Sequence, residues 1–120
     1  MTDTRITNML VGLIEDTVRG RLSWLSQEVP RILSDGSDDI FTFYATAVFR
    51  GSRFAAFEYR YRYFTDEDSF YWTAGCNIAV LDDEDRVLWD VGSDVPEVQE
   101  LIVQIKRKLS GIDSLLNQFR

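Results

Sequence analysis

The chain has 120 residues, of which 45% are hydrophobic, and this is enough for one domain with a core of its own. Its formal net charge of −7 at pH 7 argues against nucleic acid or an anionic membrane as the partner, because both attract Lys and Arg. Histidine is absent, which removes the usual general base and the commonest zinc ligand, and a single cysteine cannot form an intramolecular disulfide. We therefore expect a non-enzymatic protein without a cofactor, located in the cytoplasm because its first ten residues lack the basic and apolar runs of a secretory signal.

The first predicted element is an amphipathic helix over residues 4–19. Its apolar side chains follow the spacing of one helical face: Ile6, Met9, Leu10, Leu13, Ile14 and Val18. Asp3 or Thr4 can cap its start, and Gly20 suits the left-handed residue that ends a helix. A helix with one apolar face needs a sheet to cover.

Residues 21–39 show a weaker pattern. Leu22 and Trp24 alternate with polar residues and indicate a short strand at 21–25. Pro30 offers no amide donor, which restricts the chain around it to the edge of a sheet. The polar residues 34–39 have turn chemistry and predict a loop.

From residue 40 to residue 91 the sequence alternates with period two and carries most of the aromatic side chains. This pattern predicts a continuous antiparallel meander with strands near 40–50, 53–64, 69–81 and 86–91. If the strand at 21–25 joins these four strands, the sheet has five strands.

Three turns define the predicted register of the meander: a type II′ turn at Gly51-Ser52 and loops at 65–68 and 82–85. They set these pairs opposite one another: Phe49 and Phe54, Tyr44 and Tyr59, Tyr63 and Phe70, Phe57 and Cys76, Val80 and Val87, Ile78 and Trp89. Because a slip of one residue inverts every side chain of a strand, this register also assigns the two faces of the sheet.

One face is predicted to be the core: Ile40, Tyr44, Val48, Ala55, Phe57, Tyr59, Tyr61, Tyr63, Phe70, Trp72, Ala74, Cys76, Ile78, Val80, Val87, Trp89 and Val91. The other face carries side chains suited to solvent: Glu58, Arg60, Arg62, Tyr71, Thr73, Asn77 and Asp90. Near the first hairpin this solvent face also carries four phenylalanines: Phe41, Phe43, Phe49 and Phe54.

Two further helices are predicted at 96–109 and 111–119. Pro96 suits the first helical position, and Asp94 with Glu97 has the spacing of a capping box. Gly111 separates the two helices. The whole order predicts one two-layer α+β domain over residues 1–120, with the terminal helices on one face of the antiparallel sheet.

The layout resembles a class of small bacterial proteins to which no function is assigned. These have a first helix ending in Thr-x-x-Gly-x-Leu-x-Trp, a β-meander, and a closing helix with basic residues before a Gly-[Ile/Val]-Asp turn. The matching residues in this sequence are Thr17, Gly20, Leu22 and Trp24 at one end and Lys106, Arg107, Lys108, Gly111, Ile112 and Asp113 at the other. The resemblance implies the α+β fold and a cytoplasmic location, and it implies no catalytic residue.

Three local features could suggest a functional site, but each has a simpler structural explanation. The acidic run 82–85 closes a hairpin and cannot wrap a cation, so we expect a solvated turn and no metal site. Cys76 falls on the predicted core face, where cysteine acts as a small hydrophobe. The basic residues 106–108 complement the negative end of a helix dipole.

The four phenylalanines together with Trp24 are the best candidate for function. Four rings on a solvated face would make an apolar patch of about a few hundred Å2, the size of an interaction surface. We therefore predict a protein–protein interaction module, self-associating as a homodimer or binding a protein partner through this patch. The competing interpretation is that residues 21–33 fold across the patch and bury Trp24, Leu25 or Ile32 there.

Two alternatives belong to other functional classes. Tyr44, Tyr59, Tyr61 and Trp72 could line a small-molecule pocket on the aromatic core face, although rings of this kind also fill ordinary cores. An acidic immunity-type antagonist could mask a basic surface with the carboxylates of residues 35–39 and of the turns.

Overall fold

The computed structural model describes residues 3–120. The helices are α1 (Thr4–Val18), α2 (Arg31–Ser34), α3 (Pro96–Ser110) and α4 (Ile112–Leu116), followed by a 3-10 turn at Asn117–Phe119. The strands are β1 (Leu25–Ser26), β2 (Ile40–Phe49), β3 (Ser52–Phe64), β4 (Phe70–Leu81) and β5 (Val87–Gly92). They form one antiparallel sheet in the order β1-β2-β3-β4-β5. The prediction of an α+β fold with a meander between terminal helices is confirmed.

The first hairpin turns one residue earlier than predicted. Its two loop residues are Arg50 and Gly51, with φ of 51° and 82°, and positive φ at both central positions is what a type I′ turn requires. Phe49 therefore pairs with Ser52 and not with Phe54. The partner of each β2 residue next to the turn therefore shifts by two positions along β3. Because this number is even, the same side chains of β2 and β3 still share a face there.

The second hairpin slips by one residue, which has larger consequences. Its loop spans residues 65–69, and the Asp66 carboxylate closes it by accepting hydrogen bonds from the backbone N–H groups of Asp68 and Ser69, both at 2.8 Å. Tyr63 pairs with Tyr71 in place of Phe70. Because the slip is an odd number, β4 is turned over relative to the prediction, so Cys76 lies opposite Glu58.

A β-bulge at Thr42 divides the phenylalanines between the faces. The register jumps from Phe41 opposite Tyr59 to Phe43 opposite Glu58. The side chains of Phe41 and Phe43 therefore point to different sides of the sheet, because an extra residue in one strand reverses the alternation. The last pair, β4 with β5, also differs from the prediction by two residues, with Val80 opposite Trp89.

The main core lies between the sheet and the helices α1 and α3. The strands contribute Ala45, Ala47, Phe49, Phe54, Ala56, Cys76 and Ile78, and the helices contribute Leu10, Leu13, Val98, Leu101, Ile102 and Ile105. The helices thus cover the face of β2 and β3 that is predicted to be solvated, together with Cys76 and Ile78 of β4, which are predicted to be core residues. Its three alanines allow the helices to approach the sheet closely, whereas most of the large rings lie elsewhere.

A second, smaller core lies on the opposite face of the sheet. Its buried residues are Tyr44, Ala55, Phe57, Ala79 and Leu81, and the partly buried Val29, Leu33, Phe41 and Tyr59 pack against them. The chain reaches this face by passing around the edge of the sheet at β1. Residues 21–39 therefore serve both cores, since Leu22 and Trp24 belong to the first and Val29 and Leu33 to the second.

The predicted strand at 21–25 is shorter and lies later, at Leu25–Ser26. Trp24 is instead fixed by its side chain, because its indole Nε1 donates a 3.0 Å hydrogen bond to Thr17 Oγ1. The Thr17 hydroxyl in turn donates to the Leu13 carbonyl oxygen at 2.7 Å. At the other end of the chain Pro96 is at the start of α3, but no side chain caps this helix, so the predicted capping box does not form.

Candidate functional site

The residues predicted to form an exposed phenylalanine patch do not form one. Phe49 and Phe54 lie beneath the helices with 8% and 4% of their surface exposed, and Trp24 is buried in the same core. Phe43 packs against that core, where Lys106 Nζ lies 5.3 Å from its ring centroid. Phe41 belongs to the second core. The prediction that these residues share a solvated face is wrong, because the bulge and the helix placement were not visible in the alternation.

The competing interpretation is that residues 21–33 cover the phenylalanines, and it is correct for one of the three side chains named for that role. Trp24 joins Phe49 and Phe54 in the main core. Leu25 and Ile32, by contrast, are exposed.

Three of the four predicted ligand-lining residues share one face. Tyr44, Phe57, Phe41, Tyr59 and Tyr61 form a row in which each ring centroid lies 5.8–6.0 Å from the next. Most of this row is packed, since Tyr44 and Phe57 expose only 3% and 4% of their surface. Trp72 projects from the other face of the sheet, so the four residues do not line a common pocket.

Burial governs the electrostatics of this row. It raises the pKa of Tyr44 to about 12, with a further contribution from the charge of Asp85, and the Tyr44 hydroxyl has no hydrogen-bond partner among the described residues. Burial also raises the pKa of Tyr59. The Tyr59 hydroxyl donates to Asn77 Oδ1 at 2.9 Å, and Asn77 Nδ2 donates to Asp90 Oδ2 at 2.8 Å.

The most exposed aromatic surface lies where β3 and β4 extend past their neighbours. The pairing of β2 ends at Ile40 opposite Arg60, and that of β5 ends at Gly92 opposite Asn77. Residues 61–64 and 70–73 therefore form a two-stranded ribbon, which we call the aromatic ribbon. This overhang contributes to a long dimension of 53 Å for a domain that is 35 by 31 Å across.

Five large rings of the aromatic ribbon are between 39% and 54% exposed: Tyr63, Phe64, Phe70, Tyr71 and Trp72. They contact one another across the two strands. The centroids of Phe64 and Phe70 are 5.4 Å apart on one face, and those of Tyr63 and Tyr71 are 5.2 Å apart on the other. The aromatic ribbon thus presents apolar surface on both faces.

Positive and negative charges lie at different places around these rings. The guanidinium of Arg62 lies 5.4 Å from the Phe70 centroid, and that of Arg60 lies 5.8 Å from the Trp72 centroid. The loop at the tip, residues 65–69, carries three carboxylates. Arg62 also pairs with Asp38, which brings the loop before β2 toward the outer edge of β3. On the outer edge of β4, strand pairing ends at Asn77 opposite Gly92.

Part of the signal for the aromatic ribbon is present in the sequence. The predicted strand 69–81 is much longer than the strand 86–91 beside it, and this difference indicates an unpaired edge on β4. The lengths do not indicate the free end of β3, because Ile40 would reach Tyr63 in the predicted register. That end results from the shift of the first turn and the bulge at Thr42, which set Ile40 opposite Arg60.

The remaining predicted features have structural partners. The carboxylate of Asp82 accepts hydrogen bonds from the backbone N–H groups of Glu84 and Arg86, and Asp85 pairs with Arg53 at 2.7 Å. Cys76 is buried, which raises the pKa of its thiol. In the basic run 106–108, Lys106 pairs with Glu58 and Arg107 pairs with Asp113.

Among residues 3–120, no group of three or more potential ligand side chains has a geometry that would hold a metal ion. None of the helices described in this range is both long enough and apolar enough to cross a membrane. The fold and the aromatic ribbon define the protein as a small α+β domain with an exposed β-ribbon. No protein-family model matches the chain, and neither a curated protein nor a solved structure matches it significantly.

Proposed function

We propose that the protein is a non-enzymatic, cytoplasmic interaction module that forms a homodimer through the aromatic ribbon. The observation that carries this proposal is the exposure of five neighbouring rings on a ribbon with an unpaired β4 edge. Exposed apolar patches of this kind are typical of binding surfaces. An unpaired strand edge is also a template for adding another strand.

A second copy of the chain is the partner favoured by charge and geometry. In a two-fold antiparallel pairing of two β4 edges, the acidic tip loop of one copy approaches the base of the other ribbon. Arg60 lies at that base, opposite Ala74 in the β3–β4 register. Opposite charges therefore meet at both ends of the interface, while the rings meet at its centre.

The available area predicts a weak dimer. If each of five half-exposed rings offers about 200 Å2 in total, the aromatic ribbon contributes about 500 Å2 per copy. Stable interfaces bury about 800 Å2 per partner, so backbone pairing and the arginine side chains must supply the remainder. The net charge of −7 on each copy opposes association, and we expect a dissociation constant in the micromolar range or weaker.

Sedimentation equilibrium from micromolar to millimolar protein concentration tests the proposal. We expect the wild type to shift from one chain mass to two. Trp72→Asp and Tyr71→Asp, one on each face of the aromatic ribbon, should remain monomeric with unchanged circular dichroism. Leu88→Asp is the matched control, because Leu88 is 65% exposed on β5 and its substitution changes the net charge equally.

A wild type that stays monomeric at millimolar concentration would contradict homodimerisation. So would a Trp72→Asp variant that dimerises as well as Leu88→Asp. A further control addresses the C-terminal helices, where Leu116 and Phe119 are 53% and 80% exposed. If Leu116→Asp is monomeric and Trp72→Asp is dimeric, self-association occurs at α4 and the proposal is wrong.

The other predicted functions have less support. Of the four residues predicted to line a pocket on the aromatic face, Tyr44 borders a groove of about 360 Å3 and Tyr59 borders a separate groove of about 270 Å3. The four residues therefore do not converge on one ligand site. The acidic antagonist rests on net charge alone. Capture of a basic protein by the Trp72→Asp variant, in a complex that dissociates at high salt, would favour the antagonist over the homodimer.

A further inference from the structure

We propose that a groove between α1 and the β2–β3 turn binds a small organic carboxylate. The groove has a volume of about 410 Å3. Met9, Phe49 and Phe54 form its apolar floor, and polar side chains from α1 and from the turn form its rim. The groove lies at the opposite end of β3 from the aromatic ribbon, so this inference is independent of the proposed dimer.

Gly12 is the residue that opens the groove. It lies in the middle of α1, where glycine costs about 0.5–1 kcal/mol relative to alanine. Its φ is not positive, and a Cβ atom at this position would lie 3.6 Å from Phe49 Cζ, which is an ordinary contact. Neither backbone conformation nor packing therefore requires glycine here. Its effect is to leave the edge of the Phe49 ring accessible from the groove.

The floor of the groove suits a flat or extended apolar group. The rings of Phe49 and Phe54 meet edge to face, with centroids 6.0 Å apart and an angle of 76° between their planes. Both are held by the main core, so the floor is preformed. The volume falls within the range of about 300–1,000 Å3 that is typical of small-molecule sites, which favours a small molecule over a protein segment.

The rim of the groove selects a negative charge. Arg5 and Arg50 line it, and no carboxylate does, in a chain with 20 acidic and 13 basic residues. Arg5 is engaged by Asp3 at 2.8 Å. Arg50 makes no ion pair with any residue from 3 to 120, and its guanidinium carbon lies 5.2 Å from the Phe49 centroid. A guanidinium can bind a carboxylate through two parallel hydrogen bonds.

Two neutral groups complete the rim. The Asn8 amide and the Ser52 hydroxyl border the groove and can donate further hydrogen bonds to a carboxylate. The apolar body of the ligand would then contact Met9 and the two phenylalanines. The site therefore fits an aliphatic or aromatic monocarboxylate and disfavours an amine of the same size.

Titration of the full chain with decanoate, followed by amide chemical shifts, tests this site. We expect saturable changes centred on Gly12, Arg50 and Ser52. Nonyltrimethylammonium, which has the same nine-carbon apolar chain and the opposite charge, should bind at least tenfold more weakly. Equal affinity for the two probes, or no saturation by decanoate at millimolar concentration, would overturn the proposal.

Two variants locate the binding. Gly12→Leu fills the groove and should abolish decanoate binding while keeping or raising the thermal stability of the helix. Arg50→Asn removes the cation, and Asn-Gly is favoured in a type I′ turn, so this variant should fold well and bind about tenfold more weakly. Arg21→Asn, an exposed arginine elsewhere, is the control. Unchanged binding by Gly12→Leu or Arg50→Asn would overturn the site.

The two proposals fail separately. Trp72→Asp should bind decanoate like the wild type, because the aromatic ribbon and the groove lie at different ends of the domain. A change in decanoate affinity in Trp72→Asp that equals the change in Arg50→Asn would show that decanoate binds elsewhere.

Discussion

Thr17 connects the end of α1 to the segment that follows it. Its buried hydroxyl accepts the Trp24 indole N–H and donates to the Leu13 carbonyl oxygen. Gly20, with φ of 73°, lets the chain turn back so that Trp24 reaches Thr17. The spacing of these three residues in the sequence therefore reflects a structural bridge between helix and loop.

We predict that Thr17→Val destabilises the fold by about 1–3 kcal/mol. The substitution keeps the shape of the side chain but leaves the buried Trp24 N–H without an acceptor. Thr17→Ser retains the hydroxyl, and its free energy of unfolding should fall clearly less than that of Thr17→Val. Urea unfolding measures both. Equal midpoints for the valine and serine variants would mean that the hydrogen bond contributes nothing.

Tyr44 is buried with a hydroxyl that has no hydrogen-bond partner among the described residues. The folded protein binds its proton more tightly than the unfolded chain, because burial raises the pKa from its ordinary value of 10 to about 12. Both the folded and the unfolded chain hold this proton below pH 10, so the free energy of unfolding does not depend on Tyr44 ionisation there. It falls as the pH rises from 10 to 12, because the unfolded chain loses the proton first.

We predict that Tyr44→Phe is as stable as the wild type at pH 7 and more stable above pH 10. Between pH 10 and 12 the free energy of unfolding of the wild type should fall relative to the variant by up to about 1.4 kcal/mol per pH unit. Paired urea titrations at each pH cancel the effects of the other titrating groups. A constant difference across this range would show that Tyr44 ionises equally in both states.

At the scale of the element, the hairpin of β3 and β4 depends on a glycine that faces an aromatic ring. Gly75 lies directly opposite Tyr59. A Cβ atom at Gly75 would lie 2.8 Å from both Cζ and the hydroxyl oxygen of Tyr59, which is closer than a real contact allows. The ring therefore lies over the bare backbone, where its hydroxyl reaches Asn77.

We predict that Gly75→Ala destabilises the wild type by about 1–2 kcal/mol, because the Tyr59 ring must move and its hydrogen bond to Asn77 breaks. In a Tyr59→Leu background the same substitution should be neutral or stabilising, since alanine suits a strand better than glycine. A double-mutant cycle by urea unfolding measures the coupling. Additive effects would rule out the contact.

The hairpin of β2 and β3 is predicted correctly, but its turn residues and its register are not. Gly51 was predicted to take the first central position of a type II′ turn. It takes the second position of a turn in which Arg50 also has positive φ. A positive φ is uncommon at a residue other than glycine, and Arg50 is also the residue of the groove rim that makes no ion pair among residues 3–120.

At the scale of the whole molecule, the sheet has a well-packed part and an extended part. Residues 53–58 of β3 lie between two cores, whereas residues 61–64 and 70–73 have solvent on both faces. Local stability should follow this division, because a ribbon with few buried contacts opens at lower free energy than a packed sheet.

We predict that amide hydrogens of the aromatic ribbon exchange much faster than those of residues 53–58 and 77–80 in dilute protein. At high concentration the exchange of residues 70–74 should slow, because dimerisation pairs the β4 edge. Hydrogen exchange measured by mass spectrometry at two concentrations tests this, with Trp72→Asp as the monomeric control. Fast exchange of the wild-type aromatic ribbon at both concentrations would contradict the dimer interface.

The sequence alone determined the kind and order of the main elements. The apolar spacing of α1 and α3 and the alternation of 40–91 are local properties, set by the periods of a helix and a strand. Gly20 and Gly111 marked helix ends because positive φ is a property of single residues. The length of the predicted strand 69–81 relative to 86–91 also indicates the unpaired edge of the aromatic ribbon on β4.

The tertiary structure decided which face of the sheet is the core. That choice depends on a loop of five residues in place of four, and on one extra residue at Thr42, each of which turns a strand over without changing its alternation. It also depends on the packing of α1 and α3, which cover the face that carries Ala45, Ala47 and Ala56. The rings left uncovered are those of the aromatic ribbon, because register and helix placement are set by contacts between distant parts of the chain.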